Sequence, residues 1–350
     1  MINPCPKIGR LTRQTTVRFV ITLILFAITS AASAQTIKLA TLAPEGSAWM
    51  NAMRSGAAEI GERTEDRVKF KFYGGGVQGN DKQVLRKMRI GQLHGGAFTS
   101  NALREFQKDA VLYGMPMLFN NLEEVQFARS HIDDKLRGLM EEAGYVNFGF
   151  AGGGFAHIMS NRPITNLDDM QGLKIWIPDG DRLSYGAIKA LGISPVTMPL
   201  TDVLTGLQTE LLDTVMGPPA ATIILQWNTG VSYITELPLA YVFAMLVIDK
   251  KYFDRIQAKD QAIVREVMER VYLGFDQQGN DDNEKAYRVL LDDGIKPVSP
   301  DQGQIPEWHK VVRESNHKLA GEGIVDARLL EEIECFITAY RAGNQTDGCK

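Results

Sequence analysis

The sequence predicts an α/β fold in two domains. Three observations carry this. Residues 173–216 alternate short apolar strands with short helices, the spacing that gives parallel pairing in a layered sheet. The chain has 350 residues, 44% of them hydrophobic, a length and composition that favour two cores over one. Residues 259–291 form one amphipathic helical pattern, with Ile263, Val264, Val267, Met268, Val271, Tyr272 and Phe275 on one face. At ~1.5 Å per residue that helix reaches about 50 Å, enough to brace both domains.

The first 34 residues are expected to be a cleaved signal peptide. Lys7, Arg10, Arg13 and Arg18 precede an apolar run over 19–28, and Ala32-Ser33-Ala34 offers the small residues a signal peptidase reads. The run is too short to span a bilayer, and no later stretch is long and apolar enough. The expected site is the periplasm, after cleavage behind Ala34. The net charge is −4, and the leader holds no acid, so the remainder is more acidic still. Such a surface is a poor match for nucleic acid or anionic lipid. Cys5 leaves with the leader; Cys335 and Cys349 remain as a pair in an oxidising compartment, expected as a disulfide, with two free thiols as the alternative.

Element by element, residues 36–41 read as the first strand, Ser47 caps a helix to about residue 63, and the strict alternation of VKFKFY makes 68–73 a strand. Asn80 or Asp81 caps a helix to residue 90, and 94–98 is a short strand. Two helices are expected over 122–131 and 133–143. Strands at 145–151 and 155–160 flank Gly152-Gly153-Gly154, where the chain is expected to cross between domains. After the alternating stretch, a helix carries Trp227. Strands at 231–235 and 241–249 flank Glu236-Leu237-Pro238, the expected return crossing. Two helices, 304–320 and 326–342, close the chain. The division is therefore 35–154 with about 245–350 as the first domain, and 155–244 as the second.

Motifs for catalysis are weak. Gly74–Gly79 matches G-x-G-x-x-G between a strand and a helix, so a secreted enzyme binding a phosphate or dinucleotide there is an alternative. Against it, no acid stands about 20 residues on, where Thr99-Ser100-Asn101 falls, and the preceding strand alternates Lys69 and Lys71 with apolar residues. The five histidines form no i, i+4 pair, no serine sits in a G-x-S-x-G elbow, and Glu141-Glu142, Asp168-Asp169 and Asp281-Asp282 are adjacent pairs that diverge on a helix. No enzyme activity, cofactor or metal is expected.

Several segments, in order, resemble the DctP-type solute-binding proteins of tripartite ATP-independent periplasmic (TRAP) transporters. These are the PEGS turn at 44–47, GVQGNDKQVLRKMRIG at 76–91, YGMPMLF at 113–119, SNRPITNLDDMQGLKIWIP at 160–178, and residues 196–213. The resemblance implies a periplasmic-binding-protein-like fold, type II-like, with two hinged domains, a cleft between them and a long bracing helix. It implies a receptor that captures a small organic solute and hands it to membrane subunits of a TRAP transporter.

The departures from that pattern bear on the ligand. Where the family's K-I-R-V-P strand carries an arginine for the solute carboxylate, this chain has Trp176; a second arginine of some members falls at about Ala156. The family's D-G-x-x-N loop reads Asp213-Thr214-Val215-Met216-Gly217, and its aromatic and tyrosine become Leu200 and Leu204. The expected ligand is hydrophobic or aromatic, possibly an acid, stacked on the Trp176 indole. An ordinary small carboxylate held by a relocated Arg182 is the alternative. Ligands in such sheets sit at strand ends, which nominates Trp176, Asp179, Leu200 and Gly217. Phe98, Thr99, Trp49 and Glu45 are candidates from the first domain, and Phe155 and His157 from near the crossing.

Overall fold

A 17-residue strand, Tyr233–Asp249, runs through the middle of the protein and is paired at both ends, over 233–235 and 240–249. The computed structural model describes residues 34–343, 348 and 349; the expected leader and Cys5 lie outside them. The strands are β1 (Gln35–Thr41), β2 (Val68–Tyr73), β3 (Gly95–Thr99), β4 (Tyr145–Asn147), β5 (Ala151–Ser160), β6 (Trp176–Pro178), β7 (Val196–Met198), β8 (Thr214–Gly217), β9 (Tyr233–Asp249) and β10 (Lys296–Val298). The main sheet is mixed, in the order β2-β1-β3-β9-β5-β8, with β4 and β10 also on β9. β6 and β7 form a separate parallel pair, joined to the main sheet by an Ile175–Thr214 bridge. The alternating stretch thus contributes parallel strands as expected, but its last strand, β8, enters the main sheet antiparallel to β5.

Local chemistry sets the helix starts. Ser47 Oγ accepts from the Met50 N–H at 3.2 Å and opens the helix Ala48–Arg63. Asn80 and Gln83 form a reciprocal capping box for Asp81–Arg89. The two helices expected over 122–143 are one, Leu122–Glu142. Val125, Ala128, Ile132, Leu136 and Met140 form a single buried stripe that leaves no reason to break at His131.

Two expected chain breaks fall elsewhere. Gly152-Gly153-Gly154 lies inside β5 as a bulge, with Gly154 at φ +84°, while the interruption before it falls at Gly149, φ +103°. Glu236-Leu237-Pro238 does not end a strand: Ala156 pairs with Ala240 and Ile158 with Thr235, so residues 236–239 bulge out opposite His157. Pro238 sits where the ladder needs no N–H from it.

Four buried clusters flank the sheet, one pair around β1–β3 and the other around β6–β8. The long helix, Ala258–Asp292, buries Val264, Val267, Met268 and Tyr272 in the first pair and Leu290 in the second. The helix Ile305–Gly321 spans them as well, with Trp308 and Val312 in one cluster and Leu319 and Ala320 in another. By packing, Leu290, Ile295, Trp308 and Val312 therefore join the β6–β8 clusters, while Leu183, Tyr241 and Phe243 pack with the β1–β3 pair. Cys335 and Cys349 are bonded, tying the end of the chain to the helix Ala327–Ala342. Among the described residues, no helix is long and apolar enough to cross a membrane.

Candidate ligand-binding site

β6 ends at Pro178, and its first residue, Trp176, pairs with Val196 of β7. The Trp176 side chain is 3% exposed. Its Nε1–H donates to the Met198 carbonyl at 3.0 Å, which satisfies the indole's one polar atom and fixes the ring. Trp227 meets it edge to face, with ring centroids 5.1 Å apart. A Cβ on Gly217 would stand 3.1 Å from the Trp227 ring, so a glycine at the end of β8 lets that indole come close.

These side chains border a cavity of about 280 Å³. Its sheet side is built from Ala156 and Ile158 of β5, Met216 and Gly217 of β8, and 239–242 of β9. Ser184, Ala187 and Ile188 come from the helix Arg182–Ala190, and Trp308 and Val312 from Ile305–Gly321. Thr99, Ser100 and Asn101 face them from the β1–β3 half, and Pro116 and Met117 complete the lining, Met117 packing with the β6–β8 side. Three of the chain's four tryptophans therefore line one space. Ala156 lines it too.

The electrostatics are sparse. Among the lining residues there is no lysine, arginine, histidine or glutamate, and Asp181 is the one carboxylate. Burial pushes the Tyr241 phenol up to about 12, so it stays neutral. Burial also raises the Asp181 pKa, against hydrogen bonds from Ser184 and the Leu183 N–H that favour its charged form. Asp181 caps its helix, accepting from the Ser184 N–H at 3.0 Å. Trp308 is 2% exposed, and its Nε1 has no partner among the described residues.

Of the residues nominated from the sequence, Trp176, Gly217, Leu200 and Thr99 line the cavity. The others do not, each for a local reason. Phe98, one residue before Thr99 on β3, points to the opposite face and packs on Phe106 at 4.8 Å. Phe155 packs on Tyr241 at 5.6 Å, and His157 lies between the lining residues Ala156 and Ile158 but outside the lining itself. Burial lowers the His157 pKa, which keeps the ring neutral. Trp49 stacks on Phe275 at 5.5 Å, against the long helix. Glu45 pairs with Arg54 at 2.8 Å and accepts from the Gly74 N–H at 3.2 Å. Arg182 turns toward Glu322, 3.9 Å away, and borders only a small neighbouring space. Asp179 pairs with Lys82 at 2.6 Å. Trp227, Trp308, Tyr241 and Asp181 were not nominated; they reach the site from four separate segments, and no local motif connects them.

The glycine turn is spent on the chain itself. Gly75 N–H donates to the Ala43 carbonyl at 2.7 Å, Gly76 N–H to Thr41 at 3.1 Å, and Gly79 N–H to Gly76 at 2.7 Å. With the Gly74 N–H on Glu45, those amides are not left to cradle a phosphate.

A mixed sheet bridged by long strands, braced by long helices and holding an apolar cavity between its halves, is an architecture suited to holding a small solute. The model of DctP, bacterial extracellular solute-binding protein family 7, matches residues 39–322, and the chain belongs to that family. A solute-binding protein of Roseobacter denitrificans, RD1_1052, is 26% identical over 67% of this chain and 73% of its own length. The C4-dicarboxylate-binding periplasmic protein DctP of Rhodobacter capsulatus is 23% identical over 67% of this chain and 72% of its own. A TRAP periplasmic solute-binding protein from Xanthobacter autotrophicus, solved with bound β-D-galacturonate, superposes with a TM-score of 0.78 at 19% identity, covering 87% of this chain and 99% of that one. The protein is accordingly a bacterial extracellular solute-binding receptor, similar to proteins described as periplasmic and as TRAP solute-binding proteins.

Proposed function

We propose that this receptor captures a hydrophobic or aromatic solute, gripped by apolar surface rather than by a fixed guanidinium. The observation that carries the reading is the lining. Trp176 stands where the family resemblance places an arginine, a second arginine of some members would fall at about Ala156, and no lysine or arginine replaces them along the cavity. Burying an indole-sized apolar body there gains roughly 25 cal/mol per Å² removed from water. A solute with one hydrogen-bond acceptor would also satisfy the orphan Trp308 N–H. The rival solute, a small carboxylate on Arg182, would have to reach a residue outside the main cavity.

In this reading the domains divide near 155 and 245, and β5 and β9 are the strands that flex as the cleft closes over the solute. The mature chain begins behind Ala34, consistent with β1 starting at Gln35. A thermal-shift screen of the mature protein against dicarboxylates, uronates, aromatic compounds and fatty acids tests the reading, because a ligand of the native state alone raises Tm. The expected outcome is a shift with aromatic or aliphatic compounds. A shift with succinate, malate or galacturonate alone, abolished by Arg182→Ala, would favour the rival.

A further inference from the structure

We propose that the solute carries a cationic nitrogen, an amine or quaternary ammonium, which pairs with Asp181 while its apolar body lies among Trp176, Trp227 and Trp308. The inference rests on the apolar-solute reading above and adds a charge to it.

The cavity holds several aromatic rings and a single carboxylate, with no basic side chain along its lining. Aromatic faces attract cations through their quadrupole, most strongly for tryptophan. They give an anion no comparable partner. A carboxylate drawn out of water is costly unless something positive faces it. Asp181 has its N-cap hydrogen bonds but no such counter-charge within the cavity. Arg104 and Arg182 border, together with Asp181, a small adjoining space of about 20 Å³, and the Arg104 Nε is buried with no hydrogen-bond partner among the described residues. The one ion pair Arg182 makes among the described residues is with Glu322, at 3.9 Å, and no ion pair within 4 Å joins Arg104 or Arg182 to Asp181. A cation entering the cavity would supply the missing partner, and its charge-assisted hydrogen bond would set orientation as well as affinity.

Three indoles with a two-carbon chain separate the possibilities: tryptamine, indole-3-propionamide and indole-3-propionate carry a cation, a neutral amide and an anion on the same ring. Calorimetric titration of the mature protein, stripped of any co-purified ligand, should rank tryptamine at least about tenfold tighter than the propionate, with the amide between. Asp181→Asn keeps a good helix cap and removes the charge. It should weaken tryptamine at least about tenfold and leave the propionamide within about threefold, which also reports that the variant is folded. Tightest binding by the propionate, or tryptamine binding indifferent to Asp181→Asn, overturns the charge assignment and leaves the apolar reading standing. Equal loss of amine and amide in the variant overturns it as well. Failure of all three indoles, with a shift from a small dicarboxylate in the screen, overturns both.

Discussion

Gly279 of the long helix lies so close to Gly152 of β5 that a Cβ built on it would stand 2.2 Å from the Gly152 carbonyl oxygen. The crossing is reinforced one turn on, where Asn283 Nδ2 donates to the Gly153 carbonyl at 2.7 Å and its Oδ1 accepts from the Ala220 N–H at 3.1 Å. On the turn before, Asp276 accepts from the Gly152 N–H at 3.1 Å and from Arg129 at 2.5 Å. The triple glycine is thus a seat for the bracing helix on one of the two strands that run between the halves.

Gly279→Ala should destabilise the protein by about 2 kcal/mol or more, because backbone on both sides leaves the new methyl nowhere to go. Gly274→Ala, in the same helix with nothing within 4 Å of its Cβ, should stabilise by up to about 1 kcal/mol. Urea denaturation of the two variants side by side checks the opposite signs.

Lys82 of the Asp81–Arg89 helix meets Asp179, just past β6, at 2.6 Å. The pair links the β1–β3 half to the β6–β7 unit beside the cavity. Both side chains are exposed, so Lys82→Ala should change stability by no more than about 1 kcal/mol. As a latch on the closed form it should matter to kinetics: the variant is expected to release ligand several-fold faster, with a weaker effect at high salt. Stopped-flow displacement measures this, and an unchanged off-rate removes the latch from the account.

Asp81 begins its helix with a pKa raised to about 6 by burial. The unfolded chain releases that proton near the ordinary aspartate value, so between there and about 6 the native state holds more protons and stability falls as pH rises. Asp81→Asn should therefore raise Tm at pH 7.5 and change it little at pH 4. The helix dipole favours the charge and tempers the gain. An equal change at both pH values would refute the linkage.

Much of this was legible in the sequence because it is local. The Ser47 and Asn80 caps, the strict alternation of β2 and the apolar face of the long helix are each written within one element, and each fell within a residue or two of its expected bounds. Trp176 was legible because it stands at a strand end in a segment with a clear family pattern. What was missed depends on juxtaposition. Pro238 reads as a strand breaker until a bulge opposite His157 excuses its missing N–H. Trp227, Tyr241 and Trp308 read as core aromatics until the fold leaves a space between them. Phe98 and Phe155 failed as candidates through strand alternation, since a shift of one residue sends a side chain to the other face.

The central claim is that the Trp176 indole, not an arginine, grips the body of the solute. Calorimetric titration of the mature protein and of Trp176→Ala with indole-3-propionamide, beside succinate, tests it most directly. The expected result is binding of the indole by the wild type, at least about tenfold weaker in the variant, as for a buried tryptophan at the heart of a site, with no measurable succinate binding by either. Equal affinity of the two proteins for the indole, or tight succinate binding by the wild type, would contradict it.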